Sequence, residues 1–89
     1  MRIVYLIKHS VTNDLYIGQT SNMKRRLAEH NSGKTFSTRT KENGFWLLVY
    51  AEAYLDETDA KEREHKLKHH GNAKQGLYKR ISRSLGNQK

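Results

Sequence analysis

The chain has 89 residues, no cysteine and a formal net charge of +8, from 17 Lys and Arg against 9 Asp and Glu. That length allows one domain with a small core, and the lack of cysteine excludes disulfides and thiolate zinc sites. No apolar run approaches the roughly 20 residues of a membrane helix, and Met1-Arg2-Ile3-Val4-Tyr5 enters a strand pattern with no signal-peptide layout, so a cytoplasmic protein without membrane association is expected, its charge directed at a polyanion, nucleic acid above all.

Ile3-Val4-Tyr5-Leu6-Ile7 is apolar on both faces and rich in β-branched and aromatic residues. It predicts a strand buried on both sides, and so central in its sheet. Tyr5 points the same way as Ile3 and Ile7. Lys8 to Asp14 is polar and closes on Thr12-Asn13-Asp14, which is turn chemistry. Leu15 to Gln19 predicts a second strand, antiparallel to the first in a hairpin. The hairpin sets Tyr5 and Tyr16 on neighbouring strands, and the loop leaves their register open.

Thr20, Ser21 and Asn22 can each cap a helix that runs from about Met23 to Asn31. Met23, Leu27 and His30 form its inward stripe, with Arg26 beside them. Arg26 and His30 are four residues apart and share a face. A guanidinium and an imidazole at the edge of an inward stripe, near a tyrosine on a strand, suit a phosphate site better than a core. Gly33 predicts the helix end. Ser32 to Gly44 reads as a long polar loop containing Lys34, Arg39 and Lys41. It is either an ordinary surface loop or one that meets a nucleic-acid backbone.

Phe45 to Ala51 is the strongest apolar run and predicts a third strand that supplies much of the core. Trp46 within it reads as a packed residue rather than a base-stacking platform. Acidic residues from Asp56 to Asp59 open a helix to about His70, with Gly71 as its stop. Ala60, Glu64, Leu67 and Lys68 share one stripe of that helix, and only Ala60 and Leu67 in it are apolar. Glu64 therefore faces inward, where an unpartnered carboxylate is costly. Two readings stand: a salt bridge to Arg26 or Lys68, or a metal ligand. His65, His69 and His70 lie close together on the same helix, but no third ligand has clear geometry and lysines surround them, so zinc is not expected. Ala73 to Leu85 predicts a last helix with Leu77, Ile81 and Leu85 inward. Residues 1–85 are expected to form one domain and 86–89 a frayed tail.

Val4-Tyr5-Leu6, Leu15-Tyr16-Ile17-Gly18, Arg26-Leu27, His30, Leu48-Val49-Tyr50 and Ala60-x-x-Arg63-Glu64-x-x-Leu67-Lys68 together resemble the GIY-YIG nuclease family over about residues 2 to 80. The chain looks most like the compact single-domain branch, described as UPF0213-like or URI-type. The resemblance implies an α/β (α+β) fold, a small three-stranded antiparallel sheet flanked by helices. It also implies metal-dependent phosphodiester hydrolysis, with Tyr5, Tyr16, Arg26, His30 and Glu64 as catalytic residues and Glu64 as the metal ligand. The first half-motif lacks its glycine, since Ile3-Val4-Tyr5 stands there. Gln19 occupies the position three residues after the second tyrosine, where some members carry lysine.

The chemistry fits those residues. Glu64 can hold one Mg²⁺, with Mn²⁺ as a substitute, because Mg²⁺ often takes one carboxylate and keeps several waters. Arg26 can grip the scissile phosphate with its planar fork. A phenol near a metal and a guanidinium is pushed toward its phenolate and can act as general base; Tyr5 is the favoured base, with Tyr16 and His30 orienting it. The basic residues expected against nucleic acid are Lys24, Arg25, Lys34, Arg39, Lys41, Lys68 and Lys74. Two functions follow. One is a DNA endonuclease, acting in repair or on branched or flap structures, with specificity supplied by a partner protein or by DNA shape. The other is a nucleic-acid-binding module of the same fold with weak or no cleavage.

Overall fold

The computed structural model describes residues 1–33 and 43–86. Lys34, Arg39 and Lys41, with most of the long loop that holds them, lie outside the described residues, as do 87–89 of the expected tail. Six elements follow one another: β1 (Arg2–His9), β2 (Leu15–Thr20), α1 (Met23–Asn31), β3 (Trp46–Tyr54), α2 (Glu57–His69) and α3 (Gly71–Arg80). The strands form one antiparallel sheet in the order β2-β1-β3, so β1 is central as its two-faced apolar pattern requires. Among the described residues no helix is long and apolar enough to cross a membrane.

The β1–β2 turn is held from inside. Asn13 takes a positive φ of 65°, which asparagine tolerates. The buried His9 ring sits behind it, and its Nδ1 accepts from the backbone N–H of Val11 at 3.2 Å and Thr12 at 3.3 Å. The resulting register pairs Tyr5 with Gly18 and Ile7 with Tyr16. With a side-chain period of two, Tyr5, Tyr16 and Gly18 share one face. Ile17 and Gln19 share the other.

Each face has its own apolar cluster. On the first, Tyr5, Ile7 and Trp46 pack with Ile3, Tyr16, Met23 and Leu27, so α1 covers this side. Asn22 caps α1, its side-chain oxygen accepting from the Arg25 N–H at 3.0 Å. The far end of α1 is stitched to β3: Trp46 N–H donates to Asn31 Oδ1 at 2.7 Å, and Asn31 Nδ2 donates to the Trp46 carbonyl at 3.2 Å. On the second face Val4, Leu6 and Ile17 meet Ala60 and Leu67 of α2 and Leu77 of α3, with Leu85 closing the end.

Two expectations are corrected. β3 runs to Tyr54, beyond the apolar stretch, and contributes less to the core than that stretch suggests. Trp46 is buried, whereas Phe45, Leu47 and Leu48 are exposed. β3 is an edge strand, and an irregularity opposite Leu6 and Ile7 breaks its alternation, so a continuous apolar run does not stay buried on both faces. The last helix begins at Gly71 and ends at Arg80 rather than spanning 73–85. His70 is extended and serves as C-cap of α2 and N-cap of α3 at once, so Gly71 opens a helix instead of only closing one. Leu85 nevertheless reaches the core, from a turn beyond α3.

The inward face of β3 carries a charge. Glu52 accepts a two-pronged bond from Arg63 of α2, Nε at 3.0 Å and Nη2 at 3.0 Å, and the hydroxyls of Tyr50 and Tyr54 donate to it at 2.7 and 2.6 Å. Burial alone would raise the Glu52 carboxyl, but Arg63 and the two hydroxyls outweigh it and hold it below its ordinary value. Tyr54 is pushed up to about 12 by burial and by the adjacent Glu52. This network locks α2 onto the sheet one residue before Glu64. Glu52→Ala is expected to destabilise the fold by about 3 kcal/mol, because Arg63 keeps its charge and loses its partner. That corresponds to a fall of roughly 12 °C or more in melting temperature. Because the native carboxyl titrates below its unfolded value, the stabilisation is complete above about pH 4.3. It is lost as pH falls through the lowered native value, and in the variant that acid-side slope flattens.

Candidate active site

Tyr5 is the centre of the α1 side. Its side chain is 1% exposed, and its Oη lies 2.8 Å from His30 Nε2, a hydrogen bond whose direction follows the imidazole tautomer. A Cβ at position 18 would lie 2.5 Å from the Tyr5 Oη and 2.7 Å from its Cζ. Only glycine lets the Tyr5 ring cross β2 on the way to His30. The Tyr16 ring, half-buried at the sheet edge, completes an aromatic triangle. Centroids are 6.5 Å apart for Tyr5 and Tyr16, 5.8 Å for Tyr5 and His30, and 5.2 Å for Tyr16 and His30.

Arg26 comes to this triangle from one turn before His30. Its Nη1 donates to Glu29 at 3.0 Å, and its guanidinium lies beside the Tyr5 hydroxyl. The Tyr5 hydroxyl and then Glu29 hold Arg26 above its ordinary value. Burial raises the Tyr5 phenol, Arg26 pulls it down, and the net shift is upward. Burial lowers His30, and Arg26 lowers it further. Burial therefore outweighs Arg26 at Tyr5 and sets a protonated phenol, rather than the phenolate expected from sequence, against a neutral imidazole.

Glu64 stands on the other side of the β2 edge. Its Oε1 accepts from Gln19 Nε2 at 2.9 Å, and its Oε2 faces Lys68 Nζ at 3.0 Å. Of the two partners weighed from sequence, Lys68 is the one found; Arg26 pairs with Glu29 instead. The two sides meet through Lys68, whose ammonium lies 5.6 Å from the Tyr16 ring centroid. The five predicted catalytic residues thus gather around one sheet edge, four on the α1 face and Glu64 on the α2 face.

The predicted binding residues are less concentrated. Lys24 and Arg25 are exposed on the first turn of α1, next to Arg26. Lys68 is engaged with Glu64, and Lys74 is partly buried on α3. Sequence reasoning missed the Glu52 network. Its signal was present, since Tyr50-x-Glu52-x-Tyr54 repeats with the strand period and Arg63 precedes Glu64. It also treated Gln19 as a mere departure, whereas its amide holds Glu64.

As to metal, one half-buried carboxylate at a rim suits a hard cation that keeps most of its water. Oε2 already faces the Lys68 ammonium, so this oxygen is placed to meet a cation. Among the described residues no group of three His, Asp or Glu side chains forms a closed metal cage. The donor set fits a water-rich Mg²⁺ or Mn²⁺ on Glu64 and does not fit a structural zinc.

The neutral His30 carries a pH dependence. Its folded value lies below the unfolded one, so the unfolded chain takes up the proton first as pH falls. Stability is expected to drop on acidification below about pH 6.5. His30→Asn should remove that part of the slope in melting temperatures measured between neutral and mildly acidic pH.

Comparison with known proteins agrees with this architecture. The chain matches the GIY-YIG catalytic domain over residues 1–81. It is 38% identical over 65 residues to a UPF0213 protein of Staphylococcus haemolyticus, covering 73% of this chain and 77% of that protein. It is 40% identical over 60 residues to a UPF0213 protein of Lactiplantibacillus plantarum, covering 66% of this chain and 59% of the relative. The match to a Desulfotalea psychrophila relative likewise spans only 58% of that protein. The solution structure of a UPF0213 protein from Bacillus halodurans superposes with a TM-score of 0.52 at 28% identity, over 86% of this chain and 81% of that one. GIY-YIG domains are in general nuclease domains. With its sheet order, its Tyr5–Gly18 pairing and these similarities in agreement, the chain belongs to the GIY-YIG catalytic-domain family, beside the UPF0213 proteins.

Proposed function

We propose that the protein is a divalent-metal-dependent endonuclease that hydrolyses phosphodiester bonds in DNA, on branched or flap structures or in repair. The observation that supports it most is the Tyr5–His30 hydrogen bond of 2.8 Å beside the Arg26 guanidinium, with Glu64 around the same sheet edge. Tyr5 and Tyr16 take part in the core packing of this face, but packing alone does not call for an imidazole, a guanidinium and a carboxylate around the same sheet edge.

In this reading Arg26 grips a non-bridging oxygen of the scissile phosphate and spreads the charge that builds in the transition state. Once ionised, Tyr5 takes the proton from the attacking water, and its hydrogen bond to His30 keeps the ring oriented. Tyr16, the more exposed of the two phenols, orients that water. Glu64 would hold the Mg²⁺ or Mn²⁺ ion, which when bound supplies positive charge to the phosphate and favours ionisation near it. Lys24 and Arg25 on α1, with Lys34, Arg39, Lys41 and Lys74, carry the contacts to the DNA backbone. A partner protein or DNA shape sets specificity. The test is cleavage of supercoiled plasmid, a flap and a four-way junction with Mg²⁺, with Mn²⁺ and with EDTA. Cutting that needs the metal supports the reading, and binding without cutting under every condition contradicts it.

One observation favours the second reading, a binding module of weak or no activity. Both oxygens of Glu64 already have protein partners.

A further inference from the structure

The two partners of Glu64 differ in kind. Gln19 Nε2 donates to Oε1 at 2.9 Å, while the other end of the same amide accepts from Arg2, Nε at 3.2 Å and Nη2 at 3.1 Å. Turning that amide over would break all three bonds and set its NH₂ group against a guanidinium. Gln19 is therefore a fixed donor that orients the carboxylate. Lys68 is the opposite case. Its Nζ lies 3.0 Å from Oε2 at the end of a flexible stem, one helical turn away, and its side chain is 39% exposed. The Glu64 side chain is 19% exposed, and an i,i+4 pair whose lysine end is open to solvent is weaker than a fully buried one. The same ammonium lies 5.6 Å from the Tyr16 ring centroid, so it spans the sheet edge that joins the two halves of the site.

We propose that Lys68 is the resident cation of Glu64, and that a divalent metal enters by displacing its ammonium from Oε2 while Gln19 keeps its hold on Oε1. The proposal rests on Glu64 as the metal ligand. Lys68 then gates the metal: it keeps the carboxylate neutralised and aimed at the β2 edge, and it sets the metal concentration at which the site fills. Metal entry becomes an exchange of cations on an oriented carboxylate rather than binding to a bare one. Lys68 acts through Glu64 and is a positioning residue.

The experiment is a Mn²⁺ titration of isotope-labelled protein without DNA, read by paramagnetic broadening of the Gln19 side-chain amide signal. Native protein, Lys68→Met, Lys66→Met and Glu64→Gln are compared, each checked for fold by circular dichroism. Lys66→Met removes the same charge from the same helix at an exposed position. Lys68→Met is expected to fill at about three- to fivefold lower Mn²⁺, the loss of one weak competing ion pair, while Lys66→Met shifts by less than about twofold. Glu64→Gln is expected to show no saturable broadening. Equal midpoints for native protein and Lys68→Met, or equal shifts for the two lysine variants, overturn the gate and leave Glu64 as ligand. A Glu64→Gln midpoint equal to the native one overturns the metal assignment itself.

Discussion

Replacing Tyr5 by phenylalanine is expected to slow DNA cleavage by about 10²–10⁴-fold, the range that one well-placed general base contributes. The substitution keeps the ring that crosses Gly18 and removes only the hydroxyl 2.8 Å from His30. The fold should lose about 1–3 kcal/mol, because the buried His30 ring loses this hydrogen bond, and circular dichroism checks that the variant remains folded. Burial holds the native phenol above its ordinary value, and the native cleavage rate should therefore climb across alkaline pH. In Tyr5→Phe that climb disappears. Tyr16→Phe is the companion measurement, since Tyr16 is the more exposed of the two phenols. A larger loss there than in Tyr5→Phe would transfer the base role to the rim tyrosine.

Arg26→Ala is expected to cost about 10²–10³-fold in rate, the effect of removing one preorganised partner of the developing charge. Its effect on stability is small for a physical reason. Its ion pair with Glu29 is one-third exposed on both sides, and such pairs contribute at most about 1 kcal/mol. Arg26→Lys should recover little activity, because a point charge cannot reproduce the planar fork. A melting temperature that fell by more than about 8 °C in Arg26→Ala would mark the residue as structural instead.

The sequence was a good guide wherever local chemistry decides. The two-faced apolar run around Tyr5 placed β1 at the centre of the sheet. Asn22 and Gly33 bound α1, and its inward stripe carried His30 to Tyr5. The inward placement of Glu64 between Ala60 and Leu67 also held, and its partner Lys68 was one of the two considered. What could not be read depended on contacts distant in the chain. The burial of β3 failed because its hydrophobicity says nothing of its edge position or of the irregularity opposite Leu6 and Ile7. Register decided that Tyr5 and Tyr16 share a face, and the polar stretch from Lys8 to Asp14 could not announce it. The hydrogen bonds from Arg2 to Gln19 and from Gln19 to Glu64 span 17 and 45 positions, and nothing local marks those three as partners.

The central claim is that Glu64 holds a metal used in cutting DNA, and the most direct measurement compares native protein with Glu64→Ala, purified identically. Both are assayed for cleavage of plasmid, flap and junction DNA in Mg²⁺ and for binding of the same DNA in EDTA. The predicted result is metal-dependent cutting by the native protein alone, with DNA affinity of the two within about threefold, since one of many charges near the backbone has changed. Equal cutting by both proteins would contradict the account, because the activity would not pass through Glu64.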